Sequence, residues 1–107
     1  MFNFLKKLFS SPDNTQLSGA IREGALLVDV RSPGEFASGS VKGAVNIPLP
    51  DIENKLSKLK GYPSIVVFCL SGHRSARAKR ILEQNGFPNI INGGTWRNVR
   101  QSLEKGA

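Results

Sequence analysis

One cysteine, one histidine, one tryptophan and one tyrosine stand in these 107 residues, and eight acidic groups face fifteen basic ones. A single cysteine excludes an intramolecular disulfide framework and a multi-cysteine zinc site, and it makes a reducing compartment the default. No apolar run approaches the roughly 20 residues a membrane-spanning helix requires. The uninterrupted apolar region and small-residue cleavage site of a secretory signal are also lacking, so a cytoplasmic location is expected. Aromatic residues make up only 7% of the chain and do not interleave with the arginines. That pattern speaks against nucleic acid as the partner of a basic chain. No cofactor or metal is expected, and nothing in the sequence indicates an oligomeric state.

What remains is ordinary for a soluble globular chain: 39% hydrophobic and 21% charged residues, enough for one domain with a modest core. The net charge of +7 is unevenly spread: residues 1–54 hold five basic and six acidic groups, and residues 55–107 ten basic and two acidic. The cationic half also holds the only cysteine, Cys69, and its field favours anionic substrates. Arg74 and Arg77 flank the cysteine loop. At the other end, Met1–Phe9 places Phe2, Leu5 and Phe9 on one helical face with Lys6 and Lys7 opposite. This segment is expected to pack on the domain or fray, with weak contact to a membrane surface as the alternative. Ser10–Asn14 reads as a linker, so the expected organisation is a segment over 1–13 and one domain over 14–105.

Strand and helix signals then alternate. Thr15–Arg22 predicts a short helix closed by Gly24, and Ala25–Val30 a buried strand. Ser32-Pro33-Gly34-Glu35 carries the capping-box pattern of a short helix ending at Gly39. Val45–Ile47 predicts a strand, and Pro50-Asp51 opens a helix through Ile52, Leu56 and Leu59. Ser64–Phe68 is a second buried strand, Ser75–Asn85 a helix stopped by Gly86, and Asn89–Ile91 a last strand. Gly93-Gly94 is expected to turn, with Thr95 capping a final helix to about Glu104. This order predicts an α/β fold with a mostly parallel sheet of about five strands in a three-layer α/β/α arrangement.

Cys69 ends the second buried strand, the place where open α/β sheets bind ligands. Leu70–Arg74 must turn sharply, which Gly72 permits. Successive N–H groups in such a turn form an anion nest, and the following helix adds its positive end. With Arg74 beside it, this setting lowers a thiol pKa and supplies the thiolate nucleophile.

These residues carry a family resemblance. Val28-Asp29-Val30-Arg31 with Glu35-Phe36, Gly39–Pro48, the Cys69–Arg74 loop in the pattern C-x-x-G-x-R, Gly86-Phe87 and Gly93-Gly94…Trp96 together resemble a single-domain rhodanese, a thiosulfate-type sulfurtransferase. The resemblance runs from about Asn14 to Leu103, and Ser40 stands where histidine is usual. It implies a rhodanese-like fold and a two-step reaction. Cys69 takes a sulfane sulfur from a small anionic donor such as thiosulfate, carries it as a persulfide, and passes it to an external acceptor: cyanide, a thiol or a protein. Leu70, Ser71, Gly72, His73, Arg74 and Ser75 would form the substrate cradle. Arg74 offers a planar fork for a sulfonate, while His73 either donates to the anion or points to solvent. Asp29 and Arg31 are expected as an ion pair or turn brace, with support of the site as their functional role. Trp96 is expected as a packing residue or pocket wall.

Two other functions compete. A cysteine phosphatase or arsenate reductase also uses a thiolate in an anion nest but spaces its arginine as C-x5-R. Position 75 here is serine, and the shorter loop makes a smaller cradle. A non-catalytic module binding proteins or membranes through its basic face or Phe2–Phe9 is the third reading, and it leaves the retention of both Cys69 and Arg74 without a purpose.

Overall fold

Residues 14–106 are described in the computed structural model, and the segment expected over residues 1–13 lies outside them. Helix α1, Thr15–Arg22, buries Leu17 and Ala20 on one face and is followed, after Glu23, by Gly24, whose φ of 90° only glycine adopts without strain. Strand β1, Leu26–Asp29, leads to α2, Pro33–Ala37, which begins with the expected capping box. After β2, Val45–Asn46, two 3-10 segments follow at Leu49–Asn54 and Leu56–Leu59. Strand β3 is Ile65–Cys69, α3 His73–Gln84, β4 Ile90–Thr95 and α4 Trp96–Gly106.

The sheet is wholly parallel in the order β2-β1-β3-β4, with Leu26–Asp29 of β1 opposite Ile65–Phe68 of β3. Side chains alternate across it. Ile65, Val67 and Cys69 join Val28, Val30, Ile52, Leu59, Ala78 and Leu82 on the face covered by α3 and the 3-10 segments. Val66 and Phe68 join Leu17, Leu27, Trp96 and Val99 on the face covered by α1 and α4. Because both faces are covered, every residue of β3 is buried, as parallel sheets require. The α/β, three-layer expectation holds. Four strands are present among the described residues, where about five were expected.

Three local expectations are corrected. The helix opened at Pro50-Asp51 is instead the pair of 3-10 segments, interrupted where Lys55 leaves helical backbone at φ −123°. The longer 3-10 rise carries the chain between Ile52 and Leu59, both of which are fully buried. Gly93-Gly94 is not a turn but lies inside β4, where a register shift opposite Val67 and Phe68 makes Gly93 the extra residue of a bulge. Finally, α3 starts at His73 and not Ser75, because Gly72 takes the N-cap at φ 97°. Thr95 does cap α4, its Oγ1 accepting from Asn98 N at 3.0 Å.

Candidate active site

Cys69 is the last residue of β3 and is wholly buried. It points to the α3 side of the sheet, and the chain folds back over it. The left-handed backbone at Gly72 turns that residue's N–H toward the sulfur, at 3.0 Å from Sγ. One helical turn further, Ser75 N approaches Sγ to 3.4 Å and Ser75 Oγ to 3.5 Å. Burial is the largest single influence on the thiol and pushes its pKa up. The Ser75 hydroxyl and the N–H groups of Ser75, Ser71 and Gly72 together outweigh it, so Cys69 titrates below the ordinary thiol value.

Ser75 has one proton and three acceptors around it: Sγ, Gly72 O at 3.1 Å and Asn92 Oδ1 at 2.7 Å. Asn92, on β4, also accepts from Gly94 N at 2.9 Å and donates to Gly72 O at 3.3 Å. It therefore ties the cysteine loop to the neighbouring strand. When Sγ is a thiolate it is the strongest of the three acceptors, and the hydroxyl serves it.

Arg74 stands at the head of α3, but its fork is not open. Nη1 and Nη2 donate to Oε1 and Oε2 of Glu35 at 2.7 and 3.0 Å. Glu35 is the capping-box residue of α2, and its Oε1 also accepts from Ser32 N at 3.0 Å. The Arg74 hydrogen bonds, followed by the Ser32 N–H, lower the Glu35 pKa from 4.5 to about 2, and Glu35 in turn raises that of Arg74.

The remaining residues singled out by sequence divide between mouth and scaffold. Leu70 is half exposed at the mouth of the loop. Ser71 Oγ lies 3.0 Å from Nδ1 of the exposed His73, an interaction within the loop. Arg77 is exposed on α3. Asp29 and Arg31 are buried and ion-paired, with Arg31 Nη2 2.7 Å from Asp29 Oδ2 and 2.6 Å from Gly39 O. Ser40 completes that cluster, its Oγ donating to Asp29 Oδ2 at 2.7 Å. Trp96 is buried and packs its edge against Gly39, as a wall residue would. Sequence reading missed Glu35 as the partner of Arg74 and missed Asn92 altogether. The capping box engages only one oxygen of Glu35, and the second was the signal that a cation could be held there. Asn92 gave none beyond its place before Gly93.

Among the described residues no cluster of His, Cys, Asp and Glu is arranged to hold a metal ion, and no helix is long and apolar enough to cross a membrane. Residues 13–95 match the family model of the Rhodanese-like domain. Among curated relatives, a sulfurtransferase of Allochromatium vinosum is 36% identical over 70 residues, covering 65% of each chain. The thiosulfate sulfurtransferase PspE of Escherichia coli is 30% identical over 81 residues, covering 74% of this chain and 78% of that one. A solved structure described as a rhodanese with anions from E. coli superposes with a TM-score of 0.65 at 29% identity, covering 69% of this chain and 89% of that one. The chain spans 54% of the length of a further curated relative from Bacillus subtilis and 65% of that of the Allochromatium vinosum protein.

Proposed function

This chain belongs to the rhodanese-like domain family, and from that premise we propose that it is a sulfurtransferase working through a Cys69 persulfide. The observation that carries the reading is the convergence of the Gly72 and Ser75 N–H groups and the Ser75 hydroxyl on one buried sulfur. Such donors stabilise negative charge on sulfur, and a persulfide places that charge one atom further out.

In the first step the Cys69 thiolate attacks the outer sulfur of thiosulfate. The bond from Sγ to that sulfur forms, the sulfur–sulfur bond of thiosulfate breaks, and its electron pair leaves with sulfite. Leu70–Ser75 form the cradle. Within it Arg74, held by Glu35, fixes the start of α3, and the cationic second half of the chain draws the donor in. In the second step a cyanide ion or thiolate attacks the outer sulfur and Cys69 departs as thiolate. The chain has no second cysteine, so the acceptor comes from outside it. The relatives named as sulfurtransferases support this class of activity.

Intact mass after incubation with thiosulfate tests the proposal. The expected result is a gain of one sulfur atom, discharged by cyanide as thiocyanate and absent in Cys69→Ser. An unchanged mass in the wild-type protein would overturn it.

A further inference from the structure

The basic residues near the cysteine loop differ in whether their charge is already matched. Arg74 is held by Glu35, and Arg31 by Asp29. Arg100 lies 4.0 Å from Glu104. Neither Arg77 nor Arg97 has a carboxylate within ion-pair distance among the described residues, and of the two only Arg97 lines a pocket beside the loop. Its guanidinium lies 4.5 Å from the Trp96 ring centroid, a contact that holds the side chain without neutralising it. It also occupies the first turn of α4, where the helix dipole disfavours a cation.

Arg97 lines a pocket of about 270 Å³ with Leu70, Trp96, Arg31, Gly39 and Glu35. Leu70 belongs to the cysteine loop, and Glu35 is the partner of Arg74, so this pocket adjoins the candidate site. Its walls combine a leucine, an indole, an arginine and a glutamate already paired (Arg31 with Asp29, Glu35 with Arg74), and one unmatched cation. A cavity on the small side of ligand sites with such walls suits a short organic chain ending in an anion.

We propose that Arg97 recognises the carboxylate of a small-molecule thiol that enters the pocket between Leu70 and Trp96 to take sulfur from Cys69. This rests on the sulfurtransferase reading. In the step itself the thiolate of the bound molecule attacks the outer sulfur of the Cys69 persulfide. The new sulfur–sulfur bond forms on the acceptor as the old one breaks, and its electron pair returns to Cys69 as thiolate. The product is the acceptor's persulfide, and no other oxidant or reductant takes part.

Two measurements test the assignment, the first without sulfur transfer. The rate of Cys69 alkylation by iodoacetate is divided by that for neutral iodoacetamide in wild type, Arg97→Gln, Arg97→Lys and Arg80→Gln. Arg80 is exposed on α3 and outside the pocket, so its variant removes an equal charge elsewhere. The ratio is expected to fall about threefold in Arg97→Gln, the scale of one screened charge contact, and to hold in Arg97→Lys and Arg80→Gln. An equal fall in Arg80→Gln, or none in Arg97→Gln, overturns the proposal. The second measurement charges the protein with thiosulfate and follows single-turnover discharge by 3-mercaptopropionate and by 2-mercaptoethanol. Arg97→Gln should slow the carboxylated thiol alone; equal slowing of both counts against it. Wild-type protein that never charges refutes sulfur transfer and with it the acceptor role, whatever the alkylation ratio.

Discussion

Arg74 and Glu35, 39 positions apart in sequence, meet through two parallel hydrogen bonds of 2.7 and 3.0 Å. Helix α2, which carries Glu35, buries none of its five residues. The Arg74 pair fastens it to the head of α3 beside the cysteine loop.

Replacing Glu35 by Gln should cost about 0.5–1 kcal/mol at neutral pH, the range of a partly exposed ion pair. The sign of its pH dependence follows from the lowered pKa of about 2. A carboxylate titrating lower in the folded state adds stability that is complete above its unfolded value near 4.5 and is lost as pH falls through about 2. Urea unfolding of both proteins at neutral pH and near pH 3 checks this, and the gap should narrow in acid. A gap that stays constant would show that Glu35 acts only as a helix cap.

Ser75→Ala removes one donor to Cys69 and the link to Asn92 together. The pH midpoint of iodoacetamide alkylation should move upward, because burial, which raises the thiol pKa, is then less completely offset. Melting temperature serves as the control for folding. An unmoved midpoint would assign the whole effect to the backbone N–H groups.

Gly93→Ala should destabilise by about 1–3 kcal/mol through overpacking. A Cβ there would stand 2.5 Å from Val99 Cγ2 and 3.0 Å from Val66 Cγ1, between β3 and α4. Gly34→Ala in α2 meets nothing within 4 Å and should be neutral or stabilising by up to about 1 kcal/mol from helix propensity. The denaturant midpoint should fall in Gly93→Ala and hold or rise in Gly34→Ala.

Ser40→Ala should cost about 1–2 kcal/mol, since its hydroxyl donates to the buried Asp29 carboxylate at 2.7 Å. Asp29→Ala should cost more, about 3–5 kcal/mol, because it leaves Arg31 buried with its charge unmatched. Thermal melts rank the pair, and a larger loss in Ser40→Ala would contradict the arrangement. Sulfur loading of Ser40→Ala should match wild type, because Ser40 lies outside the cysteine loop.

Much of the fold was legible because its signals act over a few residues. The alternating strands and helices, the Ser32–Glu35 capping box, the stop at Gly86 and the cap at Thr95 each follow from neighbours in the chain. The failures have a shared cause. The Ile52, Leu56 and Leu59 spacing suits an α-helix, but the demands of the core under α3 stretched it into 3-10 segments. Gly93-Gly94 carries the composition of a turn, yet it continues β4, with Gly94 paired to Phe68 and Gly93 a bulge residue in a place where Val66 and Val99 leave room only for a glycine.

For the candidate site, the sequence by itself determined the candidate nucleophile, the glycine that turns the loop and the helix that follows, since all three lie within a few residues of Cys69. It also determined the excess of positive charge in the second half of the chain. Only the tertiary structure decided which cations remain unmatched. Glu35 neutralises Arg74 and Asp29 neutralises Arg31, while Arg97, which shares the Trp96 ring with Arg31 and Arg100, has no carboxylate partner among the described residues. Charge is additive along a sequence, but its effect falls off steeply with distance in space. Which charges meet is settled only when the elements pack.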